Sequence, residues 1–433
     1  MTTSDFFSRH NFSATPDFDA LLDKFDRQMT AGLAGAPSSL AMIPSYVSLG
    51  KSVPANTPII VLDAGGTNLR VAVIHFNEAG EAVFDDKEKF AMPGTTGDTL
   101  GAEVFFAKIA EFLAPVAARS DSVGFCFSYP TEITPTLDGR LIRWTKQVAA
   151  PEVVGMMVGA GIADALERRT GRRLAIKILN DTVATLLAGA GKGMSRNYSS
   201  YCGFILGTGT NIAYIEQGEK ITKLQNHRRD AYASGMVINC ETGNFDGAPL
   251  SDFDREMDAL TSDPGKGLFE KKISGAYIGG VGLAMLKTAA REGLFSAPAA
   301  GDLLALKTLA TKDFDDFVAN PYLRFSALSG IPFTDDDRRA VIALGEPVFV
   351  RAANLTAANI AAAVLKSGAG SDPLHPVCVT IDGSTYYKTR TTFFKSRVEA
   401  ALISVLEPRG IHFDIISVDD APMIGSAVAG LIS

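Results

Sequence analysis

Two segments of this chain repeat one design. IIVLDAGGTNLRVAVIHF (59–76) and YCGFILGTGTNIAYIE (201–216) each place a glycine-rich turn ending in Thr-Asn between two apolar runs. Each reads as an antiparallel hairpin whose turn brings backbone N–H groups to the surface, because glycine tolerates positive φ and lets a ligand approach the main chain. Helix-like and then strand-like periodicity follows each hairpin, so the pair predicts a duplicated α/β unit with a cleft between the copies.

Between the hairpins, apolar spacing predicts helices over 102–117 and 153–169 and strands over 122–128 and 174–180. Upstream, Thr15 as N-cap, Pro16 in the first turn and Phe18, Leu21, Leu22, Phe25 and Met29 at helical spacing predict an amphipathic helix ending near Gly32. A chain of 433 residues, 46% hydrophobic and 21% charged, supplies core for two lobes. Its net charge of −7 argues against coating nucleic acid or an anionic membrane, which needs surplus cations, and favours a small-molecule partner. Cys126, Cys202, Cys240 and Cys378 form no CxxC pair, so neither a disulfide framework nor structural zinc is expected. No signal-peptide pattern opens the sequence and no apolar run approaches the roughly 20 residues needed to cross a bilayer. A soluble, cytoplasmic protein is the expectation. His10, His75, His227, His375 and His412 show no metal-ligand spacing, and residues 296–340 carry no readable chemistry.

Asp63, Gly65, Gly66, Thr67, Asn68 and Arg70 form the first turn and its flanks, suited to cradling a polyanion, with Asp63 placed for a hydrated magnesium ion. An ordinary hairpin turn uses the same glycines. The segment has neither the GK[ST] of a Walker loop nor a GxGxxG that opens a helix. Gly207, Thr208, Gly209, Thr210 and Asn211 pose the same alternatives, but two such turns together point to a cleft that grips a phosphate chain from both sides. In LNDTVATLL, Asn180 and Asp181 end a strand and Thr182 begins a helix. Asp181 is there either as an N-cap or as a carboxylate presented to the cleft, where the helix N-terminus favours its ionised form and lets it accept a hydroxyl proton. Ser128, Thr145 and Lys146 flank a polar loop around Trp144; Lys146 either stabilises charge on a transferring group or is simply solvated. Glu241 and Glu270 are either surface acids or acceptors for a polyol.

Taken in order, these segments resemble the hexokinase family, sugar kinases of the actin-like ATPase superfamily, from MIPSYV (42–47) almost to the C-terminus. VLDAGGTNLRV resembles the first phosphate motif, FSYP with GRLIRWTK the sugar motif, LNDTVAT the catalytic-aspartate motif, GTGTNIAYIE the second phosphate motif and CVTIDGSTYYK the adenosine-side segment. The resemblance implies a two-lobed α/β fold of the ribonuclease H-like type. It divides the chain into an N-terminal helix and linker on the large lobe (1–50), a small lobe (51–180), a large lobe (181–418) and a C-terminal helix returning to the small lobe (419–433). Asp181 would be the catalytic base with Lys146 beside it, and Ser128, Thr145, Lys146, Asn180, Asn211, Glu241 and Glu270 would surround the sugar. Gly66, Thr67, Asn68, Arg70, Thr208, Asp382, Gly383 and Ser384 would face ATP, together with Asp63, Gly65, Gly207 and Gly209 of the two turns.

The expected activity is transfer of the γ-phosphoryl group of ATP, with Mg²⁺, to the 6-hydroxyl of a hexose, glucose foremost. A catalytically silent sugar sensor of the same fold and a sugar-independent ATPase are the rivals, and the oligomeric state stays open. Three positions depart from the family pattern near the sugar: Gly267 stands for Gln, Thr242 for Trp and Gly280 for an acid. On the nucleotide side SVDDAPMIGSAV, with Asp419, Pro422 and Ser426, replaces the usual SEDGSGKGAA.

Overall fold

The computed structural model describes residues 2–49, 52–144, 148–192, 196–225 and 229–432. Thr145, Lys146 and His227, singled out above, lie outside the described residues. The described strands are β1 (Ile43–Pro44), β2 (Ile59–Gly65), β3 (Asn68–Phe76), β4 (Ala82–Ala91), β5 (Ser122–Phe127), β6 (Thr131–Ile133), β7 (Gly139–Leu141), β8 (Ala175–Leu179), β9 (Ser200–Leu206), β10 (Thr210–Glu216), β11 (Met236–Asn239), β12 (Val377–Asp382) and β13 (Phe413–Ile416).

They form one sheet in the order β4-β3-β2-β5-β8, a second in the order β1-β11-β10-β9-β12-β13 and a small β6-β7 ribbon. Leaving aside the two-residue β1, both large sheets run third, second, first, fourth, fifth. In each, the first three strands pair antiparallel and the last two join in parallel. The duplication expected from two turns is thus present in the whole topology.

β2 is buried on both faces, and its side chains alternate between two cores with a strand's period of two. Ile60 and Leu62 enter a core with Phe105, Ile109, Ile162 and Leu166 of the helices Ala102–Leu113 and Val158–Thr170. Ile59 and Val61 enter another core, with Val183 and Leu187 of the helix Asp181–Lys192 and Met423 and Val428 of the helix Ala421–Ile432. These last two helices lie against each other between the sheets, and small residues set their spacing. A Cβ built on Gly425 would stand 1.8 Å from the carbonyl oxygen of Ala184, and one on Gly203 of β9 would stand 2.4 Å from the amide nitrogen of Leu186. Gly425→Val should therefore wedge the helices apart and cost about 1–3 kcal/mol, read as a lowered urea midpoint; an unchanged midpoint would show that this packing tolerates bulk.

The amphipathic helix near the N-terminus is Phe18–Leu33, and its cap is Asp17, whose carboxylate accepts from Ala20 N, rather than Thr15. Pro16 holds Thr15 extended, and a carboxylate also suits the helix dipole. Phe25 of this helix stacks on Phe245 with ring centroids 3.6 Å apart. A further helix that periodicity missed, Thr3–Arg9, is closed by a Thr2–Asp5 capping box and buries Phe6.

At the centre of the larger core runs the helix Asp335–Ser367. It is long and apolar enough to cross a membrane, contrary to the expectation from the sequence, but 89% of its apolar window is buried inside the protein. A helix apolar on all sides is what such a central position needs. Its one buried arginine, Arg351, donates from both terminal nitrogens to Asp254, each at 2.7 Å.

Candidate active site

A cleft of 630 Å³ opens between the two sheets, lined from the first unit by Ser128, Asn180 and Asp181 and from the second by Thr208, Gly209, Asn211, Glu241 and Glu270. The cap of the helix Asp181–Lys192 resolves the two readings of Asp181. Asn180 Oδ1 accepts from Thr182 N at 2.8 Å, so Asn180 caps the helix and Asp181 is its first residue. The Asp181 carboxylate accepts from its neighbour Thr182 Oγ1 at 3.2 Å. It stands at the positive end of the helix dipole, which favours the anion.

Opposite lies a triangle of acceptors and donors. Asn211 Nδ2 donates to Asn239 Oδ1 at 2.6 Å and to Glu241 Oε1 at 3.2 Å, and Asn239 Nδ2 donates to the same Glu241 oxygen at 2.8 Å. Glu241 sits in the left-handed region at φ 58°, a conformation costing on the order of 1–3 kcal/mol for a side-chain-bearing residue and kept where surroundings enforce it. Glu270 Oε2 accepts from Thr210 N at 2.9 Å. Burial raises the Glu241 pKa, against the hydrogen bonds from Asn239 and Asn211, and the Asp181 charge adds to the rise. Glu270 is raised by burial as well, with the Thr210 amide opposing. Buried carboxylates of this kind take hydroxyl donors readily, since each new hydrogen bond offsets desolvation.

The two glycine turns stand beside this cleft in different ways. At the second, Gly207 N donates to Gly209 O at 2.9 Å, closing the turn, and Thr208 and Gly209 line the cleft itself. The Asp382–Gly383–Ser384 segment packs directly against it; Gly383, at φ 118°, lies so close that a Cβ there would be 2.3 Å from the Leu206 carbonyl. The first turn, Gly66-Thr67 between β2 and β3, is not part of the cleft lining. Gly66 has φ 85°, as the first position of a II′ hairpin requires.

Asp63 is buried and engaged. Arg70 Nε donates to Asp63 Oδ2 at 2.7 Å and Arg70 Nη1 to Asp420 Oδ1 at 2.8 Å, while Lys87 Nζ reaches Asp420 Oδ2 at 2.5 Å. Burial works against the Arg70 charge, but Asp63 and Asp420 hold it on. Among the described residues no cluster of three or more His, Cys, Asp or Glu side chains could hold a metal ion. Asp63, the carboxylate expected to take hydrated magnesium, forms an ion pair with Arg70. The Cys126 thiol beside Asp63 is pushed well up by burial and by that charge, and all four cysteines are buried and unbridged.

Four participants escaped sequence reasoning. Asn239 stands two residues before Glu241, at the same-face spacing of a strand, which is the signal that would have found it. Arg143 lines the cleft. Tyr129 Oη donates to Gly66 O at 2.6 Å, and Asp420 reaches Arg70 across 350 positions of sequence. The three departures near the sugar line none of the cleft. Thr242 is buried and accepts from Asn359 Nδ2 at 3.1 Å, a Cβ on Gly280 would meet Met257, and Gly267 faces open space. Ser426 is buried, with its hydroxyl on Pro422 O and its backbone against Gly124. Residues 296–340, silent in sequence, brace the second unit: Thr311 Oγ1 accepts from Gly279 N at 2.8 Å, and Asp315 accepts from Arg390 N and Thr391 N.

Comparison with known proteins agrees with this geometry. Two family models, both described as Hexokinase, match residues 8–191 and 201–432. Hexokinase-9 of Oryza sativa subsp. japonica is 32% identical over 89% of this chain and 80% of its own length, and Hexokinase-2 of Solanum tuberosum is 31% identical over 91% and 83%. Among solved structures, hexokinase from Schistosoma mansoni complexed with glucose superposes with a TM-score of 0.76 at 26% identity, covering 99% of this chain and 100% of that one. The two sheets, with their shared strand order, are those of the actin-like ATPase fold.

Proposed function

Because the chain belongs to the hexokinase family and is a sugar kinase, we propose that it transfers the γ-phosphoryl group of Mg-ATP to the 6-hydroxyl of a hexose, D-glucose foremost, giving the hexose 6-phosphate. The observation that carries this reading is Asp181, released from capping by Asn180 and facing Asn211, Glu241 and Glu270 in one cleft with the Thr208–Gly209 turn. Glucose is favoured because the Schistosoma mansoni relative is complexed with it. A cytoplasmic location belongs to the same proposal, and it is supported only by four cysteines that stay unbridged.

The sugar's hydroxyls donate to Glu241 and Glu270 and accept from Asn180, while Asn211 beside them holds Glu241 in place. In this reading the 6-hydroxyl lies at Asp181. As its oxygen bonds to the γ-phosphorus, the bond to the β-phosphate oxygen breaks and the hydroxyl proton passes to Asp181. Because the transition state is loose, little activation of the hydroxyl is needed before transfer; Asp181 orients it and takes its proton as transfer proceeds, while the phosphoryl charge is stabilised separately. Lys146 supplies the positive charge that does so. Magnesium would arrive with the nucleotide substrate and offset its phosphate charge, with Asp63, which accepts from Arg70, as the acid beside the first turn. Closure of the two units then excludes water as a competing acceptor. A silent sensor is disfavoured, since it leaves the arrangement around Asp181 without a purpose, and a sugar-independent ATPase is disfavoured by the sugar segment around Trp144.

The test is ADP release from Mg-ATP by the purified chain, without sugar and with glucose, mannose, fructose and glucosamine in turn. Release that depends on sugar supports the proposal and ranks its substrates; release without sugar or none at all overturns it. Lys146→Ala should lower kcat at least about 10-fold while KM for glucose moves less, and a pure KM effect would remove Lys146 from the chemical step.

A further inference from the structure

The two glycine turns are each held from behind by a hydroxyl that stands within three residues beyond the fourth strand of its unit. In the first unit the turn follows β2, and the carbonyl of its first residue, Gly66, accepts from Tyr129 Oη at 2.6 Å. In the second the turn follows β9, and the carbonyl of its first residue, Gly207, accepts from Thr385 Oγ1 at 2.8 Å. Tyr129 and Thr385 each stand just beyond the fourth strand of their unit. That strand runs parallel beside the first, with Phe127 of β5 opposite Ala64 and Asp382 of β12 opposite Ile205. One donor is a phenol and the other an alcohol, so the shared property is a hydroxyl just beyond the fourth strand, not the residue type.

Pinning these carbonyls has a consequence for an anion. In a trans peptide the C=O and N–H groups point in opposite directions. Drawing Gly66 O back to Tyr129 turns the Thr67 N–H the other way, and drawing Gly207 O back to Thr385 does the same for the Thr208 N–H. Other bonds reinforce both: Met92 N donates to Thr67 O at 2.9 Å, Gly275 N to Gly207 O at 2.8 Å and Ala276 N to Thr208 O at 3.2 Å. Carbonyl oxygens that would repel a phosphate are thereby withdrawn, and amide donors face outward. Tyr129 stays a donor at every working pH, because burial, with the Asp63 charge, pushes its phenol up to about 12.

We infer that Tyr129 and Thr385 are a matched pair of positioning residues that fix the two turns for the phosphates of Mg-ATP, an inference that rests on the nucleotide reading above. Tyr129 carries a built-in reporter. Its ring meets Trp144 edge-on, with centroids 4.9 Å apart and planes at 87°, and Trp144 is the chain's single tryptophan.

Tyr129→Phe keeps the ring and Thr385→Val keeps the shape, so each removes one hydroxyl alone. With glucose saturating, each should raise KM for Mg-ATP about 5-fold, the loss expected from one neutral hydrogen bond. The double variant should reach about 25-fold, because the turns belong to separate units and their effects add in free energy. KM for glucose should stay within about 2-fold of the parent in every case, which a general loss of structure would not allow. Mg-ADP should change Trp144 emission in the parent and in Thr385→Val but not in Tyr129→Phe. An unchanged KM for Mg-ATP in an active double variant overturns the inference alone, as do KM values for sugar and nucleotide that rise together with a fall in Tm. A parent protein that transfers no phosphate from Mg-ATP to any hexose overturns the nucleotide reading and takes the inference with it.

Discussion

Asp181→Ala should lower kcat by about 10³-fold, within the range a positioned general base contributes, while glucose binds within about 5-fold of the parent affinity. The two effects separate because the sugar's other hydroxyls are met by Glu241 and Glu270, neither of which depends on Asp181 for its place. Asp181→Asn sharpens the test. It keeps an acceptor for the 6-hydroxyl but cannot take the proton, so it should be about as slow as Ala if proton acceptance is the role. Steady-state kinetics and calorimetric titration with glucose check both halves. Turnover within 10-fold of the parent in either variant would remove Asp181 from the chemistry, and joint loss of binding and turnover would make it a sugar ligand first.

The largest expected effect on stability lies away from the cleft, at Asp254. This carboxylate accepts from both terminal nitrogens of Arg351 and from Ser251 N and Oγ at 2.8 and 2.7 Å. Burial opposes its ionisation, yet the Arg351 guanidinium outweighs burial and holds its pKa below the usual value. Lys272 lies nearby, and burial pulls its pKa down to about 8. Asp254→Ala therefore leaves a buried guanidinium without a counterion. Lys272 can shed its proton near neutrality; Arg351 cannot. The expected cost is about 3–5 kcal/mol in urea unfolding, and Asp254→Leu with Arg351→Met should recover most of it, since an apolar pair of similar volume replaces a buried ion pair well.

The pH dependence follows from the sign of the shift. A depressed Asp pKa contributes stability that is fully present above the unfolded value of about 3.9 and is lost as pH falls through the folded value. The parent should weaken on acidification below about pH 4, and the double variant should show a flatter profile there. Equal urea midpoints for parent and Asp254→Ala at pH 7 would show that the pair adds nothing to the fold.

Much of the frame was legible because it is encoded locally. Glycine turns between apolar runs announce hairpins whatever surrounds them, and both lie where spacing put them, at Gly66-Thr67 and Gly207–Gly209. A parallel strand buried on both faces, such as β5, reads as a continuous apolar run with no competing periodicity. The cap at Asp17 was missed because Thr15 and Asp17 are both good caps, and Pro16 decides between them through the extended backbone it imposes on Thr15. The helix Thr3–Arg9 is too short to carry a periodic signal; its capping box and the burial of Phe6 hold it.

In the site, the sequence by itself determined which chemical groups were available and in what order along the chain: an aspartate opening a helix, two glycine turns, two acids in the second half. Only the tertiary structure decided which of them meet. It made Asn180 the cap and freed Asp181 from that duty, joined Asn239 to Asn211 and Glu241, and paired Asp63 with Arg70. The physical reason is range. Turn and cap preferences are settled by backbone sterics within a few residues, whereas a hydrogen bond such as Arg70 to Asp420 depends on how two sheets and the helices between them pack. Sequence spacing does not encode that distance; close packing at Gly203 and Gly425 does.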